Sequence, residues 1–199
     1  MKDLYKKLSR SRILTAVLLI AASIGLGVLS LKFAAVLRAD EMFDSYFENH
    51  WIAFLNLLPC VWLTLTLWFA TQRAALAFAL SSLTVMGFTI ASWFKLQFRN
   101  DPLFFEDILL IKEAGNMSER YQLFMTKSML AALVILVAAV VFLAFFARAR
   151  LPWQARIAGV LALLLCILPM KWLYTNEEIY NTKTENYDLI NRWSTTQLY

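Results

Sequence analysis

SMLAALVILVAAVVFLAFFA, residues 128–147, is a run in which Ser128 supplies the only polar side chain. A helix needs roughly 20 apolar residues, at about 1.5 Å each, to cross about 30 Å of hydrocarbon. A helix on the surface of a soluble domain would show a polar stripe, and this run has none. The run therefore predicts a membrane span, and the rest of the chain repeats the pattern. Residues 13–36, 51–71, 74–94 and 157–172 are four more stretches of comparable length and apolarity. The composition agrees: of 199 residues, 60% are hydrophobic and 17% charged, an apolar share above that of an ordinary soluble domain. The first stretch exceeds an ordinary signal core and leads to no small-x-small cleavage site, so it is expected to stay in the mature protein. The expected fold is all-α: a polytopic membrane protein with five transmembrane helices over residues 1–174, a helical extracellular loop over 95–127, and an extracellular juxtamembrane linker over 175–199.

Basic residues set the expected orientation. Lys2, Lys6, Lys7, Arg10 and Arg12 precede the first span, Arg73 sits in the turn after the second, and Arg148, Arg150 and Arg156 follow the fourth. The positive-inside rule places all of these in the cytoplasm. The amino terminus is then cytoplasmic, the carboxyl terminus extracellular, and the protein multi-pass in the cell membrane. Trp51, Trp93 and Trp172 all fall at span ends on the outer side, where an indole can bury its ring and keep its N–H in water. They are expected to form an interfacial belt.

Several function classes are disfavoured. The net charge of +5 sits beside span ends without the aromatic interleaving of a strand-binding groove, so anionic membrane lipid, not nucleic acid, is the expected partner. Cys60 and Cys166 fall within spans and His50 is the one histidine, which suggests neither a disulfide framework nor a metal site. Apart from Lys32, near a span end where it can snorkel, charges avoid the spans, whereas pumps and ion-coupled transporters usually need them there. Asn56 is expected to make an interhelical hydrogen bond. Ala21 with Gly25, Ser23 with Gly27, and Gly87 with Ala91 are small residues four apart, which predicts close contact between the first and third spans. Pro59 and Pro169 should kink their helices and free carbonyls that neighbouring helices must satisfy.

The loop after the third span is chemically richer. Asp101-Pro102 reads as an N-cap and first helical position, and Gly115-Asn116 as a stop. A second short helix is expected over residues 119–124. Glu106, Asp107, Lys112 and Glu113 scatter around the first helix instead of sharing one face, so it should be buried against the spans or in the interface. Lys95, Arg99, Asp101, Asp107 and Arg120 then have two possible roles. They form either an ion network holding the loop on the bundle or a cleft that grips a lipid phosphate.

The order Trp93-Phe94-Lys95, Phe98-Arg99-Asn100-Asp101-Pro102-Leu103, Glu106-Asp107-Ile108-Leu109-Leu110-Ile111-Lys112-Glu113-Ala114, Asn116-Met117 and Arg120-Tyr121 resembles the loop between the third and fourth spans of lipoteichoic acid synthase family proteins. The five-span layout is similar too. Asn191-Arg192-Trp193-Ser194-Thr195-Thr196-Gln197-Leu198-Tyr199 resembles the connector that leads, in that family, to an extracellular catalytic domain of the sulfatase and alkaline-phosphatase type. The Asp-Pro-Leu and Glu-Asp-Ile-Leu wording is similar to a divergent branch of the family.

The resemblance implies the membrane domain of a glycerophosphotransferase, a cell wall biogenesis enzyme that draws on phosphatidylglycerol. The catalytic domain is expected to lie outside these 199 residues, and the Mn2+ cofactor the family implies belongs to that domain. No cofactor and no catalytic residue are expected here; Thr195 and Thr196 have no metal cluster beside them. The implied lipid-binding residues are Trp93 at the interface, Lys95, Arg99 and Arg120 toward phosphate, and Asp101, Asp107 and Glu113 orienting those cations or meeting glycerol hydroxyls. The implied partner is the covalently following sulfatase-like domain. The alternative is a stand-alone membrane scaffold that assembles with a separate membrane protein.

Overall fold

The computed structural model describes residues 11–35, 47, 50–99 and 126–175. The expected loop helices at 101–114 and 119–124, the amino-terminal lysines and the 175–199 linker lie outside the described residues. The described residues form six helices: α1 (Arg12–Ala35), α2 (His50–Thr71), α3 (Ala74–Arg99), α4 (Lys127–Phe146), α5 (Trp153–Leu165) and α6 (Ile167–Thr175). Among the described residues there is no strand. Among the described residues five segments are long and apolar enough to cross a membrane: Arg12–Phe33, Ala53–Thr71, Ala74–Lys95, Lys127–Phe146 and Trp153–Tyr174.

Helix α3 is the centre of the bundle and packs against α1, α2 and α4. Its buried positions Phe78, Ser82, Met86, Thr89 and Trp93 recur every three or four residues, the spacing that stacks side chains on one face. Leu19, Leu26 and Phe33 of α1, Trp68 of α2, and Met129, Leu136 and Leu143 of α4 complete the core. The buried polar residues are serines and threonines, several of them bonded to backbone one turn back, such as Ser23 to the Leu19 carbonyl (2.7 Å) and Thr64 to that of Cys60 (2.8 Å). Two hydroxyl pairs join helices: Ser30 with Thr89 (2.7 Å) ties α1 to α3, and Thr64 with Ser81 (2.9 Å) ties α2 to α3. The outside of the bundle is strongly apolar, with Leu83 at 74%, Val134 at 68% and Leu168 at 70% exposure. Hydrocarbon tolerates such a surface and water does not.

The fifth span differs from the expectation in two respects. It starts at Trp153, four residues before the expected 157, and it is interrupted at Cys166. Pro169 lies in the first turn of α6, where a missing N–H is harmless, so the chain breaks ahead of the proline instead of bending at it. Helix α2, in contrast, runs unbroken through Pro59. The carbonyl that Pro59 leaves without its intrahelical donor is that of Leu55, and the Tyr174 hydroxyl donates to it.

That bond is one of the polar ties that hold the fifth span, which has no buried residue between Trp153 and Tyr174, against α2. The Trp62 indole donates to the Leu163 carbonyl at 2.9 Å, beside the break. At the other end, Arg156 donates to the carbonyls of Phe69 (3.3 Å) and Ala70 (2.7 Å), covering orphan acceptors in the last turn of α2. Between these ties Gly159 meets the Phe69 ring so closely that a Cβ could not be added without moving it.

The small-residue expectation is corrected in detail. Helices α1 and α3 do touch, joined by the Ser30–Thr89 hydroxyl pair, but not at the expected glycines. Gly25 and Gly87 face open space, with Ala21 and Ala91 exposed beside them. Gly27 works between α1 and α2: a Cβ there would lie 2.7 Å from Leu57 Cδ2 and 3.6 Å from Cys60 Sγ. Small residues mark a permissive face, and which face is used depends on where the neighbours stand. Asn56 is also corrected, since its amide nitrogen is buried without a hydrogen-bond partner.

Candidate functional site

The residues implicated by sequence begin at the carboxyl-terminal end of α3. That helix runs past the expected end at 94 through Arg99, so positions 93, 95 and 99 belong to one rigid element. Lys95 and Arg99 are four apart, hence one above the other on a single stripe. Lys95 is half-buried. Asp101, Asp107, Glu113 and Arg120 lie outside the described residues, so the structure brings together Trp93 and Lys95, with the backbone of Arg99.

Trp93 departs from the belt expectation. Its neighbours in the proposed belt, Trp51 and Trp172, are 44% and 59% exposed, but Trp93 is 3% exposed. Its ring packs edge-on against Phe94, with centroids 4.9 Å apart, within the same core cluster as Phe33 and Met129. The reason is helical phase. Position 93 continues the stripe of Phe78, Ser82, Met86 and Thr89, and that stripe faces the interior from end to end. The signal was present in the sequence as a three-and-four spacing, but the aromatic residue's place at a span end suggested a rim location. Trp93 therefore anchors the end of α3 from inside and holds Lys95 and Arg99 by their shared helix.

The neighbouring elements are fixed by local chemistry. Thr126 caps α4, its hydroxyl accepting from the Met129 N–H at 3.3 Å, which satisfies one orphan donor. The fully buried Met129 then packs in the cluster that holds Trp93. The Ser30–Thr89 bond lies one turn below Trp93 and fixes α1 beside α3. Sequence reading missed both hydroxyls of that pair; a serine and a threonine at similar depth on the first and third spans were the available signal.

Among the described residues no group of three or more His, Cys, Asp or Glu could hold a metal ion. Those residues contain no Asp or Glu at all, and oxygen donors are what a hard divalent ion such as manganese favours. A manganese site does not fit this part of the chain.

Comparison with protein-family models, with curated protein sequences and with solved structures gives no match in any of the three.

Proposed function

We propose that this chain is the membrane domain of a lipoteichoic-acid-synthase-like glycerophosphotransferase. It crosses the cell membrane five times, with the amino terminus in the cytoplasm and the carboxyl terminus outside. It anchors an extracellular catalytic domain that follows residue 199, and the segment between the third and fourth spans helps present a phosphatidylglycerol-type head group. The ordered motif from Trp93 to Tyr121 carries this reading. The five long apolar helices support it, as does the extension of α3 that sets Lys95 and Arg99 on one stripe beyond a buried tryptophan.

In this role Lys95, Arg99 and Arg120 meet phosphate, because guanidinium and ammonium groups give charge-assisted bonds to its oxygens. Asp101, Asp107 and Glu113 orient those cations or accept from glycerol hydroxyls. Trp93 acts as a positioning residue through the helix, without touching lipid. Bond breaking belongs to the following domain.

The test uses a full-length homologue with the same motif. Arg99→Gln should lower polymer made per folded enzyme, and Trp93→Ala should lower it along with the melting temperature. If Arg99→Gln synthesises polymer at the parental rate, Arg99 has no part in lipid presentation. Protease shaving of intact cells checks the topology: cleavage should fall in 100–125 and 176–199. Cytosol-side labelling of those segments would reverse the orientation.

A further inference from the structure

At the opposite end of the bundle from Lys95, the two short connectors and the start of α1 border a half-open cavity of about 800 Å³, and its four arginines are exposed. Arg12, Gln72, Arg73, Arg148 and Arg150 line it, among alanines that include Ala74 and Ala147. In the sequence these arginines served only as marks of orientation. The structure gathers them, from three separate segments, around one hollow.

The hollow is built by small residues and held by hydrogen bonds. Ala74 and Ala147 are buried, and their short side chains leave the volume open. Gln72 adopts a left-handed conformation with φ 60°, unusual for a residue with a Cβ. Its side-chain nitrogen donates to the Leu151 carbonyl at 2.7 Å, which ties the connector carrying Arg73 to the one carrying Arg150. Arg148 is steadied by a 2.8 Å bond to the Ala144 carbonyl and by the Phe145 ring, 5.6 Å from its Cζ. Arg156 is different, for it is occupied by the carbonyls at the end of α2 and does not line the cavity.

Charge balance is the deciding feature. The described residues contain no carboxylate side chain. The segment leading into Arg12 has Asp3 but also Lys2, Lys6, Lys7 and Arg10, so it adds net positive charge. Four like charges around one space repel each other, and an anion placed between them turns that repulsion into attraction. A phosphate group has the several oxygens and the charge needed to accept from more than two planar guanidinium forks. The volume suits it, since small-ligand sites generally span about 300–1,000 Å³.

We propose that this cavity is a binding site for a phosphate-bearing anion, either the head group of an anionic lipid or a phosphate free in solution. It is a second site, separate from lipid presentation at the Lys95 end, and it stands whether or not that reading holds.

The full chain in neutral detergent is the sample. One arm titrates sodium pyrophosphate by calorimetry. The other counts bound phosphatidylglycerol against phosphatidylcholine by native mass spectrometry. Arg73→Gln with Arg150→Gln should weaken the probe that binds by about tenfold or more, a factor worth about 1.4 kcal/mol. Lys32→Gln with Lys171→Gln, which removes the same charge from the other end, should leave binding within about twofold of the parent, less than about 0.5 kcal/mol. Binding of phosphatidylglycerol alone identifies a lipid site, and binding of pyrophosphate alone or of both identifies a site open to soluble phosphate. The proposal is overturned if neither probe binds the parent chain, if the two double variants lose binding equally, or if the arginine pair loses none. Should the glutamine pair fail to fold, Arg73→Lys with Arg150→Lys keeps the charge and removes the forks. It should weaken binding severalfold at an unchanged melting temperature, and parental affinity would count against the site.

Discussion

Removing one hydroxyl should loosen the fifth span. Tyr174 donates to the Leu55 carbonyl, which lacks its helical partner because the residue four positions later is Pro59. Leu55 is 3% exposed, so no solvent replaces a lost donor. A buried acceptor left without a partner costs about 1–3 kcal/mol, while measured interhelical hydrogen bonds in membranes average nearer 0.6 and reach about 1.7 kcal/mol. Tyr174→Phe should therefore cost about 1–2 kcal/mol. This is large for a span that has no buried residue between Trp153 and Tyr174.

The cause can be isolated by a double-mutant cycle. Pro59→Ala restores an N–H to position 59 and lets the Leu55 carbonyl bond within its own helix. In that background Tyr174→Phe should lose most of its effect, giving a coupling of about 1 kcal/mol between the two sites. Unfolding in mixed micelles with a denaturing detergent, followed by tryptophan fluorescence, measures all four proteins. Trp62 and Trp172, on either side of this interface, are natural reporters. A coupling indistinguishable from zero would mean that the proline and the tyrosine act independently, and the argument from the freed carbonyl would be wrong.

Three other substitutions probe packing and polarity. Gly159→Ala forces its new methyl into the Phe69 ring and should destabilise the α2–α5 contact by about 1–3 kcal/mol; Gly27→Ala presses only on the movable end of Leu57 and should cost less, and equal melting temperatures would refute the distinction. Asn56→Leu removes an amide nitrogen that is buried without a partner, so stability in the same assay should hold or rise, by up to about 1–3 kcal/mol; a clear loss would show that the amide is engaged.

What the sequence determined by itself is the number of long apolar helices, their approximate limits and the two ends to which charge is confined. These are properties of single segments. Mean apolarity over a window does not depend on which side of a helix faces inward, and charge is excluded from spans wherever the neighbours stand. The two prolines are an intermediate case, because chain chemistry alone requires a freed carbonyl but not its rescuer. Tertiary structure named Tyr174 as that rescuer for Leu55. It also decided that Trp93 points inward, that Gly27 and Gly159 are contact points while Gly25 and Gly87 are not, and that Asn56 finds no partner. In a chain apolar on every side of its helices, hydropathy hardly distinguishes an inward face from an outward one. Only the positions of the neighbouring helices make that choice, and the same positions draw Arg12, Arg73, Arg148 and Arg150 from distant parts of the chain around one cavity.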